Sequence, residues 1–286
     1  MGVSSSDPIS YKESLRQEWQ RTAGGWHGLM PVINAWLADA TEQMLSLAGV
    51  KIGSRVLDIA AGDGGQSLAA AQRVGPNGYV LATDIASNLA ALASQLARDR
   101  GLNQLRAQVM DAEQFSLANE SFDAVISRMG VMYLPNPHQS FREMTRVLRP
   151  GGRAAVIVYG NAQGSPHMTI PVSIIRRRAN LPPSQAGQPG PFSLGSPATL
   201  ADLFREAGFR EIETRVVNAP LRFKSAAECV RFRRESAGTL LQMLRSVDDA
   251  AQGPIWQEIE EALREYEGPN GFEAPTELLV GAGRKP

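Results

Sequence analysis

The 286-residue chain contains one cysteine and three histidines, carries no net charge and has few aromatics (6%). A lone Cys229 excludes an intrachain disulfide and a cysteine-based metal cluster. His27, His138 and His167 stand far apart, none at metal-ligand spacing with another, so no bound metal is expected. Lysine plus arginine equals aspartate plus glutamate at 29 each, which leaves no overall field to attract nucleic acid or an anionic membrane. No apolar run approaches membrane-spanning length, and the first residues lack the basic and apolar regions of a secretory signal. A reducing cytoplasm is therefore the expected setting. The opening MGVSSS matches the short N-myristoylation pattern, which we read as chance. Arginine runs at 176–178 and at 231, 233 and 234 are expected to be solvated helix faces.

What is present is a 43% apolar chain, long enough for one large α/β domain with an embellishment. YKESLRQEWQRTAGGWHGLM predicts a helix broken at Gly24-Gly25, and apolar spacing predicts another from Pro31 to a stop at Gly49. Strands and helices then alternate. RVLDIA, YVLATDI, LRAQVMD, SFDAVISR and RAAVIVYG read as strands, with helices over QSLAAAQRVG, SNLAALASQLARDRG and HQSFREMTRVLRPGG. This alternation predicts parallel βαβ units. The regularity fails at the proline- and glycine-rich 181–197 segment. A helix follows at ATLADLFREAGF, then a strand over REIETRVVNAPLRF, helices at about 225–246 and 254–267, and a closing strand TELLVGAG.

The stretch VLDIAAGDGG at 56–65 sits where a buried strand turns into a helix. Ala60, Ala61, Gly62 and Gly64 clear space for a ligand against main-chain amides. In open parallel sheets, ligands bind beyond the carboxyl ends of the strands. Asp58 leaves the strand where a carboxylate can orient the loop or receive a cationic group. Asp84 follows Gly64 by twenty residues, at the end of the second strand, where it can accept both hydroxyls of a ribose. Asp111 ends the third strand. A single such carboxylate is usually a cap or turn residue; three successive strands each ending in aspartate beside a glycine loop point to a nucleotide cofactor. Two remain in play, NAD and S-adenosylmethionine. A carboxylate before the loop suits a ligand with a cationic amino-acid end better than a pyrophosphate, and no Tyr-x-x-x-Lys pair occurs.

These residues resemble the class I S-adenosylmethionine-dependent methyltransferases, in particular the branch containing the ubiquinone and menaquinone enzymes. VLDIAAGDGG is similar to the first motif of that family, with Ala60 in place of its first glycine. ATDIA, VMDAEQF, FDAVISRMGVMYLPNP, LRPGGR and FSLGSPATLADLFREAGF resemble later motifs in order, over about residues 11–284. The resemblance implies a Rossmann-like α/β fold with a seven-stranded, mostly parallel sheet and an antiparallel last strand. It also implies an N-terminal arm and covering helices (1–50), a cofactor-binding core (51–224), a helical lid insertion (225–272) and a final strand and tail (273–286). By position, Asp84 would hold the ribose and Ile85 pack on the adenine. Asp111 would accept the adenine amino group, and the Ala112 amide would donate to the ring. Main chain at Ala60 and Gly62 would lie along the methionine portion, and a carbonyl at Ser127 or Arg128 would take its ammonium. Glu18, Trp19, Gly25 and Trp26 would belong to the helix that closes over the cofactor, with Trp19 binding it. Ala60 is expected to be accommodated at ordinary backbone angles.

The implied activity is methyl transfer from S-adenosylmethionine to a small, largely apolar acceptor at oxygen, with nitrogen and carbon as alternatives, leaving S-adenosylhomocysteine. An ionisable acceptor calls for a base, and His27, Tyr133 and His138 are the candidates. Trp26, Met132 and His167 are candidates for acceptor contact. Two rival readings stand beside this one: an NAD(P)-dependent oxidoreductase, and a protein that binds S-adenosylmethionine without turnover. The expected partners are a small-molecule acceptor, with no nucleic acid and no membrane span, in a monomer or homodimer.

Overall fold

The structure, a computed structural model, describes residues 8–182, 187–236, 238–245 and 247–286. MGVSSS and part of the 181–197 segment lie outside these. Three helices come first: α1 (Pro8–Gly28), α2 (Met30–Trp36) and α3 (Ala38–Leu47). The alternating region comprises β1 (Arg55–Ile59), α4 (Gly65–Val74), β2 (Tyr79–Asp84), α5 (Ser87–Asp99), β3 (Leu105–Val109), β4 (Phe122–Arg128), α6 (Pro137–Val147) and β5 (Leu148–Tyr159). Next come α7 (Pro166–Arg178), α8 (Pro197–Glu206), β6 (Arg210–Asn218), β7 (Leu221–Phe223), α9 (Ala226–Ser236) and α10 (Gly238–Leu244). The chain finishes with α11 (Asp249–Leu263), β8 (Glu267–Gly268), β9 (Gly271–Ala274) and β10 (Glu277–Arg284).

Seven strands form one sheet in the order β3-β2-β1-β4-β5-β10-β6. The neighbours from β3 to β5 run parallel, and β10 pairs antiparallel with both β5 and β6. The central strands are covered on both faces, which is why they read as apolar runs rather than as alternation. Val56, Leu57, Ile59, Val125 and Ile126 are all fully buried. Strand order reverses between β1 and β4, so their carboxyl ends open the crevice in which such sheets hold ligands. None of the described helices is long and apolar enough to cross a membrane.

Several expectations from sequence are corrected. α1 runs unbroken through Gly24-Gly25. The glycines serve helix crossing: a Cβ on Gly25 would stand 2.8 Å from the Glu235 carbonyl oxygen of α9. The helix from Pro31 is two, divided at the buried Leu37. REIETRVVNAPLRF divides at Pro220, which has no N–H with which to continue a ladder. Its second half, β7, joins β9 and β8 in a separate three-stranded sheet that the sequence did not suggest. The expected 225–246 helix is α9 plus α10, and the helix after it starts at Asp249, capped by the Asp248 side chain accepting from the Ala250 amide. Of α7 only the arginine end, 176–178, was expected to be helical; its start at Pro166 and its passage through Pro171 were not.

Candidate functional site

The turn from β1 into α4 is built from left-handed backbone. Ala60, Gly62 and Gly64 have φ of 51°, 60° and 89°. Ala60 is thus not at ordinary angles, contrary to expectation, and its methyl is held against the next strand's exit. A Cβ on Gly130 would lie 2.5 Å from the Ala60 Cβ and 3.2 Å from the Ser127 hydroxyl. Gly130→Ala is therefore expected to cost about 2 kcal/mol through overpacking, read as a lower urea midpoint. Adding Ala60→Gly should restore most of it, whereas an unrelieved double variant would place the strain elsewhere.

Asp58, fully buried, accepts from the Ser67 hydroxyl and from Gln66 Nε2 (3.1 Å), tying the strand end to the first turn of α4. Burial pushes its carboxyl up to about 7, against the pull of Ser67, Gln66 and Arg128. Asp84 is 7% exposed and bridges two loops, accepting from the Gly62 amide (2.9 Å) and the Ala86 amide (2.9 Å). Burial raises it to about 6. Arg128, at the end of β4, donates to Asn34 Oδ1 (2.8 Å) and Thr41 Oγ1 (3.2 Å) and lies over Gly65. Burial lowers its guanidinium to about 10, with Asp58 and Asp63 opposing. The Ser127 hydroxyl is turned inward, donating to the Ile59 carbonyl (2.8 Å).

Asp111 and Ala112 lie beyond β3, joined to β2 where the Met110 amide donates to the Asp84 carbonyl (2.9 Å). Ile85, half-buried, follows Asp84. α1 crosses all three strand ends. Lys12 pairs with Asp111 (2.7 Å) and Glu113 (2.6 Å); Ala23 packs with Ala86 and Leu89; His27 Nδ1 meets Asp63 Oδ2 at 3.1 Å. Burial pulls the Lys12 ammonium down, but its bonds to the two carboxylates outweigh this and hold it above the usual lysine value. Glu18, also on α1, is buried and paired with Arg21 (2.7 Å) and Arg245.

Beside the glycine loop is a small, partly open cavity of about 50 Å³. Its walls include Trp19 and Trp26 of α1, Trp36 of α2, Met132 and Tyr133 after β4, and Phe232 of α9. Trp26 Nε1 lies 3.6 Å from the position a Gly62 Cβ would take, so this indole separates the cavity from the loop. Trp19 meets Trp26 and Tyr133 edge-on, with ring centroids 5.7 and 5.8 Å apart. Burial drives the Tyr133 phenol well above its ordinary value.

The structure thus brings Asp58, Ala60, Gly62 and Asp84 to one loop, and Trp19, Trp26, Met132 and Tyr133 to one cavity. All three histidines fall outside the cavity wall. His138 is exposed and paired with Glu206 (2.9 Å). His167 is fully buried one layer behind, its Nε2 2.6 Å from Thr276 Oγ1. His27 reaches Asp63 instead of the cavity. Sequence reading missed Trp36, Tyr159, Phe232 and Arg233, all of which line it. Arg233 is only 3% exposed, a correction to the solvated face expected of its run. Its neighbour Arg234 stacks on Trp256 at 5.5 Å.

Residues 56–152 match the family described as a methyltransferase domain. An uncharacterized protein of Mycobacterium tuberculosis is 30% identical over 233 residues, 80% of this chain and 81% of that one. The chain belongs to the class I S-adenosylmethionine-dependent methyltransferases. A ubiquinone/menaquinone biosynthesis C-methyltransferase of Laribacter hongkongensis is 36% identical to this methyltransferase over 115 residues, 40% of this chain and 47% of that one. The crystal structure of the YcgJ protein of Bacillus subtilis shares the methyltransferase's fold, with a TM-score of 0.58 at 19% identity, over 87% of this chain and 98% of that one. Among the described residues no cluster of histidine, cysteine or carboxylate side chains could hold a metal ion.

Proposed function

We propose that this enzyme transfers the methyl group of S-adenosylmethionine to an oxygen of a small, largely apolar acceptor held in the aromatic cavity. The observation that carries this reading is the adjacency of cavity and glycine loop across the Trp26 indole. When bound, the sulfonium supplies an activated methyl group. The chain's own residues fit the rest of that molecule. Asp84, a buried carboxylate at the end of β2 whose present partners are two amides, suits the ribose hydroxyls. Asp111 suits the adenine amino group once it shares or releases Lys12. The left-handed turn at Ala60, Gly62 and Gly64 exposes main chain to the methionine portion, and the Arg128 guanidinium suits its carboxylate.

The cavity supports alignment more than proton removal. Tyr133 is held neutral by burial, and neither His138 nor His167 reaches the cavity. An acceptor oxygen that arrives ionised would need only to be aligned with that methyl group, by the cavity walls on one side and the glycine-loop residues on the other. No proton then needs to leave in the step. Ordering of this kind is worth on the order of 7–11 kcal/mol in favourable systems, and tryptophan walls exclude water from it. The named C-methyltransferase relative favours a second reading, attack by an enolate carbon.

The test is release of S-adenosylhomocysteine with a panel of phenols and enols, with product mass and NMR identifying the methylated atom. Turnover with methyl on oxygen is expected. Binding of NAD(P) without affinity for S-adenosylmethionine would end the reading, and donor binding without turnover of any acceptor would leave a non-catalytic binder.

A further inference from the structure

Among the described residues, Arg233 is the one charged side chain in the wall of the aromatic cavity. It is 3% exposed, and its Nε has no hydrogen-bond partner. Among the described residues no carboxylate pairs with it. What surrounds it is aromatic or neutral. Its guanidinium carbon lies 5.0 Å from the Phe232 ring centroid and 5.9 Å from that of Trp36, and the Tyr159 hydroxyl is within its reach. One Nη2 hydrogen goes to His167 Nδ1. That bond fixes the imidazole: Nδ1 accepts, so Nε2 carries the hydrogen and donates to Thr276 Oγ1 (2.6 Å). Burial, with Arg233 adding to it, holds His167 far below its usual value, so it remains neutral. A neutral histidine can position the guanidinium but cannot cancel its charge.

Burying a guanidinium without a counter-charge is costly, and folded proteins pair such groups. Arg233 also presents a planar fork suited to two oxygens or one oxyanion. We propose that Arg233 is the acceptor-binding residue of this cavity and that the acceptor is a flat conjugated organic anion, its carboxylate or phenolate-type oxygen held by the Arg233 fork between the aromatic walls. This assignment rests on the reading of the cavity as the acceptor site. It deepens that reading, because it names the residue that holds the acceptor's oxyanion and makes the acceptor's apolar body flat and conjugated. It also accounts for a cavity wall without a base, since the ligand arrives already ionised. The cavity's present volume suits only a few waters, so binding of an aromatic acid requires the Trp19 and Trp26 side to move outward.

The experiment is calorimetric titration of the full chain, with and without saturating S-adenosylhomocysteine, using 2-naphthoate and its neutral isostere 2-naphthamide. A third probe, 4-nitrophenol, titrated below and above its own ionisation, separates a phenolate from a carboxylate ligand. The wild-type chain is expected to prefer the anionic member of a pair by about tenfold to a hundredfold, the range of a charge-assisted hydrogen bond. Arg233→Met should abolish the preference while binding S-adenosylhomocysteine within about twofold of wild type, since Arg233 lies outside the adenosyl crevice. Arg233→Lys should keep the preference in weakened form, and it carries the test if the methionine variant does not fold. Equal binding of naphthoate and naphthamide by the wild type, binding of neither, or an undiminished preference in Arg233→Met overturns the assignment. S-adenosylhomocysteine failing to bind while the anion preference persists overturns the methyl-transfer reading alone.

Discussion

Asp84→Ala is expected to weaken S-adenosylhomocysteine binding by about a hundredfold or more, a loss on the order of 3 kcal/mol for two charge-assisted hydrogen bonds. The fold should survive. Asp84 is buried at the carboxyl end of β2, where its charge is poorly solvated and its pKa stands at about 6, so its removal relieves a desolvation cost even as two amides lose an acceptor. Asp84→Asn keeps one oxygen and should fall between the two. Calorimetry gives the affinities, and a thermal melt of the unliganded variants separates weak binding from unfolding. Unchanged affinity in Asp84→Ala would remove the ribose from this position. A collapsed melt would instead make the Gly62 and Ala86 bonds the residue's main task.

The second large effect is one of pH. The Asp58 carboxyl titrates at about 7 in the folded protein, against about 4 in an unfolded chain. The folded state therefore binds the proton more tightly, and stability from this group falls as pH rises. It is fully present below about pH 4 and is lost through about pH 7, a change on the order of 4 kcal/mol. Asp84 acts in the same direction up to about pH 6, and its charge also raises Asp58. Carboxylates held low by arginine partners, such as Glu143 beside Arg146, have the opposite slope. A comparison with Asp58→Asn cancels those. From urea midpoints, the stability of wild type relative to Asp58→Asn should fall between pH 4 and pH 8; parallel profiles would show that Asp58 is ionised throughout.

The glycine loop and the carboxylates beside it were legible in the sequence because their signals are local. A buried parallel strand must be apolar on both faces, its exit must turn sharply, and the first carboxylate beyond each strand stands at a spacing set by one βαβ unit. Asp58, Gly62 and Asp84 follow from those constraints. Ala60 was read as harmless because a residue letter carries no φ. The aromatic cavity draws on α2, β5 and α9, so Trp36, Tyr159 and Arg233 share no spacing that a linear reading can find. One signal was available. Ala226, Cys229, Val230 and Arg233 lie at i, i+3, i+4 and i+7, and the first three are an apolar stripe. An arginine completing such a stripe belongs to the buried face, while Arg231 falls on the exposed one. The Gly24-Gly25 pair misled for a related reason: glycine weakens a helix locally, but here it answers a contact with α9 two hundred residues away.

α1 bears Lys12 on the adenosine side and Trp19 and Trp26 on the aromatic side, within one uninterrupted rod. Under the proposed function both cargoes share this one cover, so product held beneath the tryptophans is expected to slow exchange of the spent donor.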